Sequence, residues 1–237
     1  MKRSLGLPRN DLNFSFAEHA STFSTHIGSS IPAYEHLIET CLGLSRRFIQ
    51  DRTNVVDVGC SAGHLLSRLY EANREIRSFT DYIGLDSEPA FACCWDDLAS
   101  EKVKFVVSDA LSYSGFTNVS LACSLFTVQF LPWRDKPRLI QKVYDGLVAG
   151  GAMIIAEKVL ASTARLQDAL TFPYYDFKLV NGFTAQDILD KERSLRGQMT
   201  LWSSAELECA LRLAGFVEIE RIWEAFPFSA YLAIKEG

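Results

Sequence analysis

The sequence predicts an open α/β fold: a seven-stranded, mostly parallel sheet with helices on both faces and an antiparallel terminal hairpin. Three observations predict it. Asn54–Val58 is an apolar run around a single acid, the pattern of a strand buried on both faces. Gly59 and Gly63 follow, and then Leu65, Leu66, Leu69 and Tyr70 recur at helical spacing, which marks a strand-to-helix crossing. Apolar runs go on alternating with helical patterns through residue 158, and residues 216–223 and 228–234 then read as two closing strands.

With 237 residues, 48% of them hydrophobic, the chain can bury one sizeable core, and a single domain over 1–237 is expected. Within it, residues 1–50 read as an N-terminal helical cap and 160–200 as an inserted lid segment. No apolar run approaches the ~18 residues of a membrane span, so no membrane association is expected. Met1–Asn13 carries cations without an apolar core or cleavage site, which argues against a secretory signal. The net charge of −5 argues against direct binding of nucleic acid, because neutralising phosphates requires a basic face. Cysteines stand at 41, 60, 93, 94, 123 and 209 with no C-x-x-C pair, as expected of free buried thiols in a reducing cytoplasm. The four histidines (19, 26, 36, 64) form no H-x-x-x-H pair, and no metal site is expected.

In chain order, residues 1–13 are expected to be mobile, and Ser15–Glu18 has the form of a capping box opening a helix that carries Phe16 and Phe23. Gly28-Ser29-Ser30 should break that helix. Pro32 suits a first helical turn, with Leu37, Ile38, Cys41, Leu42 and Phe48 as the apolar face and Tyr34 off it. Asp81–Asp86 reads as a strand ending in an acid, followed by a helix from Pro89 with Phe91, Cys94 and Trp95. Lys104–Ala110 is a further strand with Asp109 near its end, and Val119–Phe126 another. A helix over Pro137–Leu147, a turn at Gly150-Gly151 and a strand over Ala152–Ala156 ending at Glu157-Lys158 complete the alternation. Residues 160–200 are polar and aromatic, with helical spacing only over Ala185–Leu195. Ser203 or Ser204 should cap a last helix ending at Ala214-Gly215.

In such sheets small ligands bind at the carboxyl ends of the strands. A dinucleotide fingerprint would need glycines at the first, third and sixth positions of the turn, but Ser61 and His64 stand at the latter two. No Gly-Lys-Ser/Thr of a P-loop is present. Asp86 can accept two hydrogen bonds from ribose hydroxyls, or serve as a helix N-cap. An acid two residues before Gly59 and a glycine, Gly63, four after it resemble motif I of class I S-adenosylmethionine-dependent methyltransferases. The resemblance implies a Rossmann-like methyltransferase fold. It gives Asp57 the amino acid part of the ligand, the Gly59–Ser61 backbone a course beside it, and Asp109 the adenine amino group.

Four further runs sharpen the resemblance: Ser30-Ile31-Pro32-Ala33-Tyr34, Phe126-Thr127-Val128-Gln129-Phe130-Leu131, Glu157-Lys158, and Asp176-Phe177-Lys178 with Asn181-Gly182-Phe183. From about Ser30 to Lys235 the chain resembles the carboxy-S-adenosylmethionine synthases, which combine S-adenosylmethionine with prephenate and release phenylpyruvate. The resemblance implies S-adenosylmethionine or carboxy-S-adenosylmethionine as cofactor, a homodimer, and a tRNA wobble modification pathway. It places Tyr34, Gly59, Cys60, Ser61, Asp86, Ser87, Asp109 and Ala110 around the cofactor, with Tyr34 also over the reacting centre. Leu125 occupies a position where the family has asparagine. Glu192 stands where the family has the arginine that grips the new carboxylate, leaving Arg193 and Arg196 as the candidate catalytic cations. Lys191, Glu192, Arg193 and Arg196 also fit a plain solvated helix face. Phe172, Tyr174, Tyr175 and Phe183 could form an aromatic lid or plain core. Two other readings stay open: an ordinary methyltransferase lacking the carboxylate clamp, and a non-enzymatic cofactor-binding module.

Overall fold

The computed structural model describes residues 23–237. The capping box at Ser15–Glu18, Phe16 on its helix, and the mobility expected of residues 1–13 lie outside the described residues. Helix α1 (Phe23–Ser30) runs through Gly28-Ser29-Ser30, where a break is expected. The break comes three residues later, where Ala33 takes a left-handed φ of 53° ahead of α2 (Tyr34–Phe48). Pro32 therefore precedes the helix instead of lying in its first turn. On α2, Leu37, Ile38 and Cys41 are fully buried.

Strand β1 (Asn54–Val58) leads into α3 (His64–Asn73), then β2 (Asp81–Asp86) and a 3-10 turn, Pro89–Cys94, where a longer helix is expected. Strand β3 (Val103–Val107) stops before Ser108–Ala110, so Asp109 sits in the loop beyond it. Strand β4 (Val119–Leu125) and α4 (Lys136–Gly146) follow. Strand β5 (Leu147–Leu160) is far longer than expected. It absorbs Gly150-Gly151 as an irregularity, because the register against β4 shifts between Val119↔Leu147 and Leu121↔Ala152.

The inserted segment is two helices, α5 (Ala164–Val180) and α6 (Ala185–Leu195). Helix α5 contains Pro173, which removes a backbone donor and masks the helix from sequence reading. Thr163 and Thr184 cap the two helices through side-chain oxygens that accept from Leu166 and Asp187 backbone N–H groups. Short β6 (Trp202–Ser203), α7 (Ser204–Ala214), β7 (Glu218–Ala225) and β8 (Phe228–Ile234) end the chain.

Seven strands lie in the order β3-β2-β1-β4-β5-β8-β7, and β6 pairs with β5 off this path. Strands β1 to β5 pair in parallel, while β8 pairs antiparallel with both β5 and β7. The expected architecture is therefore present, with β6 as an added eighth strand. Alternation along the strands builds one core on each face. Val55 and Leu121 pack with Leu37, Ile38, Leu66 and Leu69 on one side. Val56 and Ala122 pack with Leu139, Val143, Leu207 and Leu211 on the other. Among the described residues no helix is long and apolar enough to cross a membrane.

Candidate active site

The carboxyl end of β1 runs into a turn held from three sides. The N–H groups of Gly59 and Cys60 both donate to the Leu85 carbonyl of β2, at 2.7 and 2.9 Å. Ser61, at a left-handed φ of 48°, donates its N–H to Asp86 Oδ2 at 2.8 Å. Trp95 donates its ring N–H to the Ser61 carbonyl at 2.8 Å and stacks on Phe105, with centroids 5.1 Å apart. The two glycines are needed for packing as much as for a ligand. A Cβ at Gly59 would stand 2.0 Å from Thr127 Oγ1, and one at Gly63 would stand 2.7 Å from the Phe105 ring.

A cavity of about 360 Å³ opens over this turn. Tyr34, Asp57, Gly59, Cys60, Ser61, Asp86, Ser87, Asp109, Ala110 and Leu125 all line it, so the structure brings together every expected cofactor residue except Gly63. Gly63 instead caps α3 at a φ of 81°. Phe126, Thr127, Phe130 and Leu131 form another wall. Tyr34 is buried and tilts toward Phe126, centroids 6.3 Å apart, so it belongs to the pocket and core and not to the partly exposed helix surface.

Two carboxylates set the electrostatics of the cavity. Burial, and then the neighbouring Asp86 charge, raise the Asp57 carboxyl to about 7. Burial also raises Asp86, against which the Glu88 and Ser61 N–H groups act. Each Asp86 oxygen already accepts one of these N–H groups, at 2.9 and 2.8 Å, which fixes the carboxylate and leaves each oxygen a further lone pair. A buried acid, Asp57, and a half-buried one, Asp86, in one cavity suit a ligand carrying cationic groups and hydroxyls, as S-adenosylmethionine does.

The charged residues of the insertion fall elsewhere. Neither Arg193 nor Arg196 is among the cavity-lining residues. Arg193 pairs with Asp190 at 3.3 Å, and Arg196 is the exposed C-cap of α6. Gln129 is buried and accepts the Lys158 N–H on its side-chain oxygen at 2.8 Å. In the expected lid, Tyr174 is buried against Phe228 whereas Phe172 is 68% exposed.

Sequence reasoning missed a convergence of cations. Lys158 at the end of β5 and Lys178 on α5 both face the Tyr174 ring, Lys158 pairs with Glu192, and the charge of Lys191 on α6 acts on Lys178. Lys158 Nζ lies 3.5 Å from Glu192, and Lys178 Nζ lies 4.4 Å from the Tyr174 ring centroid. Burial, then Lys191 and Lys158, lower Lys178 to about 8, with Glu192 acting the other way. The only sequence signal was that lysines close both the Glu157-Lys158 and the Asp176-Phe177-Lys178 runs.

Sheet order, glycine turn and twin acids together define a class I S-adenosylmethionine-dependent methyltransferase architecture. The magnesium protoporphyrin IX methyltransferase of Synechocystis PCC 6803, solved with bound SAH, superposes with a TM-score of 0.57 over 86% of this chain and 84% of that one, at 12% identity. An O-methyltransferase family protein from Burkholderia thailandensis does so with a TM-score of 0.63 over 93% of this chain and 61% of that one, also at 12% identity. No family model matches the chain. Curated relatives are more specific. The carboxy-S-adenosyl-L-methionine synthase of Staphylococcus epidermidis is 30% identical over 94% of this chain and 96% of that protein. The enzyme of the same name from Klebsiella pneumoniae subsp. pneumoniae is 32% identical over 92% and 89%. The chain belongs to the carboxy-S-adenosyl-L-methionine synthase family, and it is an S-adenosylmethionine-dependent transferase.

Proposed function

We propose that this protein converts S-adenosylmethionine and prephenate into carboxy-S-adenosylmethionine and phenylpyruvate, as a cytoplasmic homodimer serving a tRNA wobble modification pathway. The pathway, the compartment and the dimer rest on family membership. The reaction is supported by one observation above the others: four residues of the specific Phe126–Leu131 run line the same cavity as the Gly59–Ser61 turn.

In this reading Asp57 takes the amino group of the cofactor's amino acid part, Asp86 and Ser87 the ribose hydroxyls, and Asp109 and Ala110 the adenine. S-adenosylmethionine supplies the sulfonium methyl group that receives the carboxyl group. Over the whole reaction prephenate gives up its ring carboxyl and its ring hydroxyl, and the hydroxide leaves as water with the proton released by the methyl group. The chain must keep bulk water from the exchanged carboxyl group, and buried Tyr34 and Phe126 with the apolar side chain of Leu125 form the dry wall for that. This reading gives Arg193 and Arg196, which are not among the cavity-lining residues, no role at the reacting centre.

One observation favours a second reading, methyl transfer to an unidentified acceptor. Glu192 is an acid at the position where the family uses arginine, and it holds Lys158. Mass analysis after incubation with S-adenosylmethionine and prephenate decides between them. Carboxy-S-adenosylmethionine is expected to accumulate together with phenylpyruvate. If it does not form while S-adenosylmethionine still binds, methyl transfer becomes the better account.

A further inference from the structure

We propose that Glu157 is a positioning residue of the cavity, whose carboxylate holds the Phe126–Leu131 wall against the Gly59 turn. It is not among the cavity-lining residues, so it acts through that wall. Its bearing on carboxyl transfer rests on the reaction proposed above, whereas its bearing on cofactor binding does not.

The wall needs holding. Phe126 takes a left-handed φ of 59°, which a bulky side chain disfavours, and such strain persists only where the surroundings over-determine it. The 3-10 turn Val128–Phe130 follows, and Thr127 before it supplies no side-chain cap, since its hydroxyl donates to the Leu125 carbonyl at 3.3 Å. Val128 is fully buried, so its N–H must find a partner inside the protein. Glu157 Oε1 accepts it at 3.0 Å. Three consecutive residues of β5 thus grip the run. The Ala156 carbonyl accepts the Phe126 N–H at 2.6 Å, Glu157 accepts that of Val128, and the Lys158 N–H donates to the Gln129 side chain. Thr200 holds the far side: its N–H donates to the Gln129 carbonyl at 2.8 Å and its hydroxyl to the Leu131 carbonyl. The Phe126 ring rests on Phe228, which also touches Tyr174 of α5, with centroids at 5.6 and 5.4 Å.

Stability alone does not account for an acid here. Burial pushes the Glu157 carboxyl up, against which Lys136 and then the Gln129, Val128 and Thr127 N–H groups act. Its Oε2 is buried without a hydrogen-bond partner within the described residues, as is Ser229 Oγ, directly opposite in the β5–β8 register. Replacing a buried acid and its cation together by apolar side chains is often neutral or stabilising. What an apolar side chain cannot supply is the acceptor for Val128. The consequence reaches the cofactor through Thr127, which fills the space beside Gly59 that a Cβ there would need. A displaced wall therefore displaces the turn that runs beside the ligand.

The test is calorimetric titration of S-adenosylmethionine into the full chain and three variants. Glu157→Gln keeps an oxygen at the Val128 N–H, removes the charge and brings an amide N–H toward Ser229, so affinity within about threefold of wild type is expected. Glu157→Asp keeps the charge but withdraws the oxygen by one methylene, and Glu157→Leu removes it. Each should bind at least about tenfold more weakly than wild type, as a buried N–H is left unpaired. A residue that matters only as the ion partner of Lys136 gives the opposite order, with the Asp variant near wild type and the Gln variant weak. An Asp variant that binds as tightly as the Gln variant, or more tightly, overturns the proposal. Should the Leu variant not fold, the comparison of Gln with Asp decides alone. Amide exchange at Val128 reads the same contact without ligand: it should be slow in wild type and Glu157→Gln and at least about tenfold faster in Glu157→Asp. Formation of carboxylated product should fall in the same order as affinity. A wild type that makes no such product removes the proposed reaction and leaves the affinity and exchange results to judge Glu157. A productive wild type whose Asp variant binds as tightly as the Gln variant removes the role of Glu157 and keeps the reaction.

Discussion

Lys158 Nζ and a Glu192 carboxylate oxygen stand 3.5 Å apart, tying the end of β5 to α6 at the position where the family resemblance expects an arginine. Restoring that arginine is therefore not a simple reversion. Glu192→Arg removes the partner of Lys158 and adds a fourth cation beside Lys178 and Lys191. Breaking a fully buried pair costs ~3–5 kcal/mol, but the Glu192 side chain is 33% exposed, so a loss of about 1–2 kcal/mol is expected. Urea unfolding checks this, and a variant as stable as wild type would show that the insertion accommodates the arginine by rearranging.

Asp86 is expected to carry much of the cofactor affinity. Asp86→Ala should weaken S-adenosylmethionine binding by ~1.5–3 kcal/mol, the usual loss when a charge-assisted hydrogen bond goes. The same carboxylate holds the Ser61 and Glu88 N–H groups, so part of the loss reflects a loosened turn. Calorimetry on variant protein with an unchanged melting temperature measures it, and unchanged affinity would remove Asp86 from the ribose site.

The pH dependence of cofactor binding should follow Asp57. Its carboxyl titrates at about 7 in the free fold, above the ordinary aspartate value, because burial disfavours the charged form. This group therefore favours the free fold more as pH falls toward and below 7. A cationic cofactor needs the carboxylate, so S-adenosylmethionine affinity should drop by up to about tenfold per pH unit below 7. Asp57→Asn should bind more weakly at pH 8 and lose most of that slope. A wild-type affinity that stays flat from pH 8 to 5.5 would contradict the assignment.

Gly59→Ala is expected to destabilise by ~1–3 kcal/mol, since its methyl group would overlap Thr127 and the φ of 76° disfavours a side chain. Thr127→Ala in the same protein should recover part of the loss, because the Oγ1 and Cγ2 atoms in the way are gone. Additive losses in the double-mutant cycle would mean that backbone conformation, not the contact, dominates.

Most of the fold was legible because its signals are local. An apolar run such as Asn54–Val58 followed by Gly59 and Gly63 specifies a strand and a crossing without reference to the rest of the chain. Every expected cofactor residue but Gly63 lines one cavity for the same reason, as strand ends in such a sheet converge. Helix α5 was illegible because Pro173 breaks the local pattern, and its helical state depends on burying Tyr174 and Lys178, one turn apart on one face. The lysine cluster was illegible because its members lie on three elements and come together only through packing. Arg193 and Arg196 were candidates for the carboxylate cation for the converse reason: proximity to Glu192 along the chain does not reveal that Arg193 turns to Asp190.

The last strand in sequence, β8, is not at the rim of the sheet but between β5 and β7. On the ribosome, β5 must therefore wait with one edge unpaired, and β7 has no neighbour, until residues 228–234 have left the exit tunnel. Phe228 arrives with that strand, so the aromatic bridge between the cofactor cavity and the α5–α6 insertion is completed only when β8 docks. A prematurely terminated chain would present an open apolar strand edge, a species for chaperones and proteases instead of a partly active enzyme.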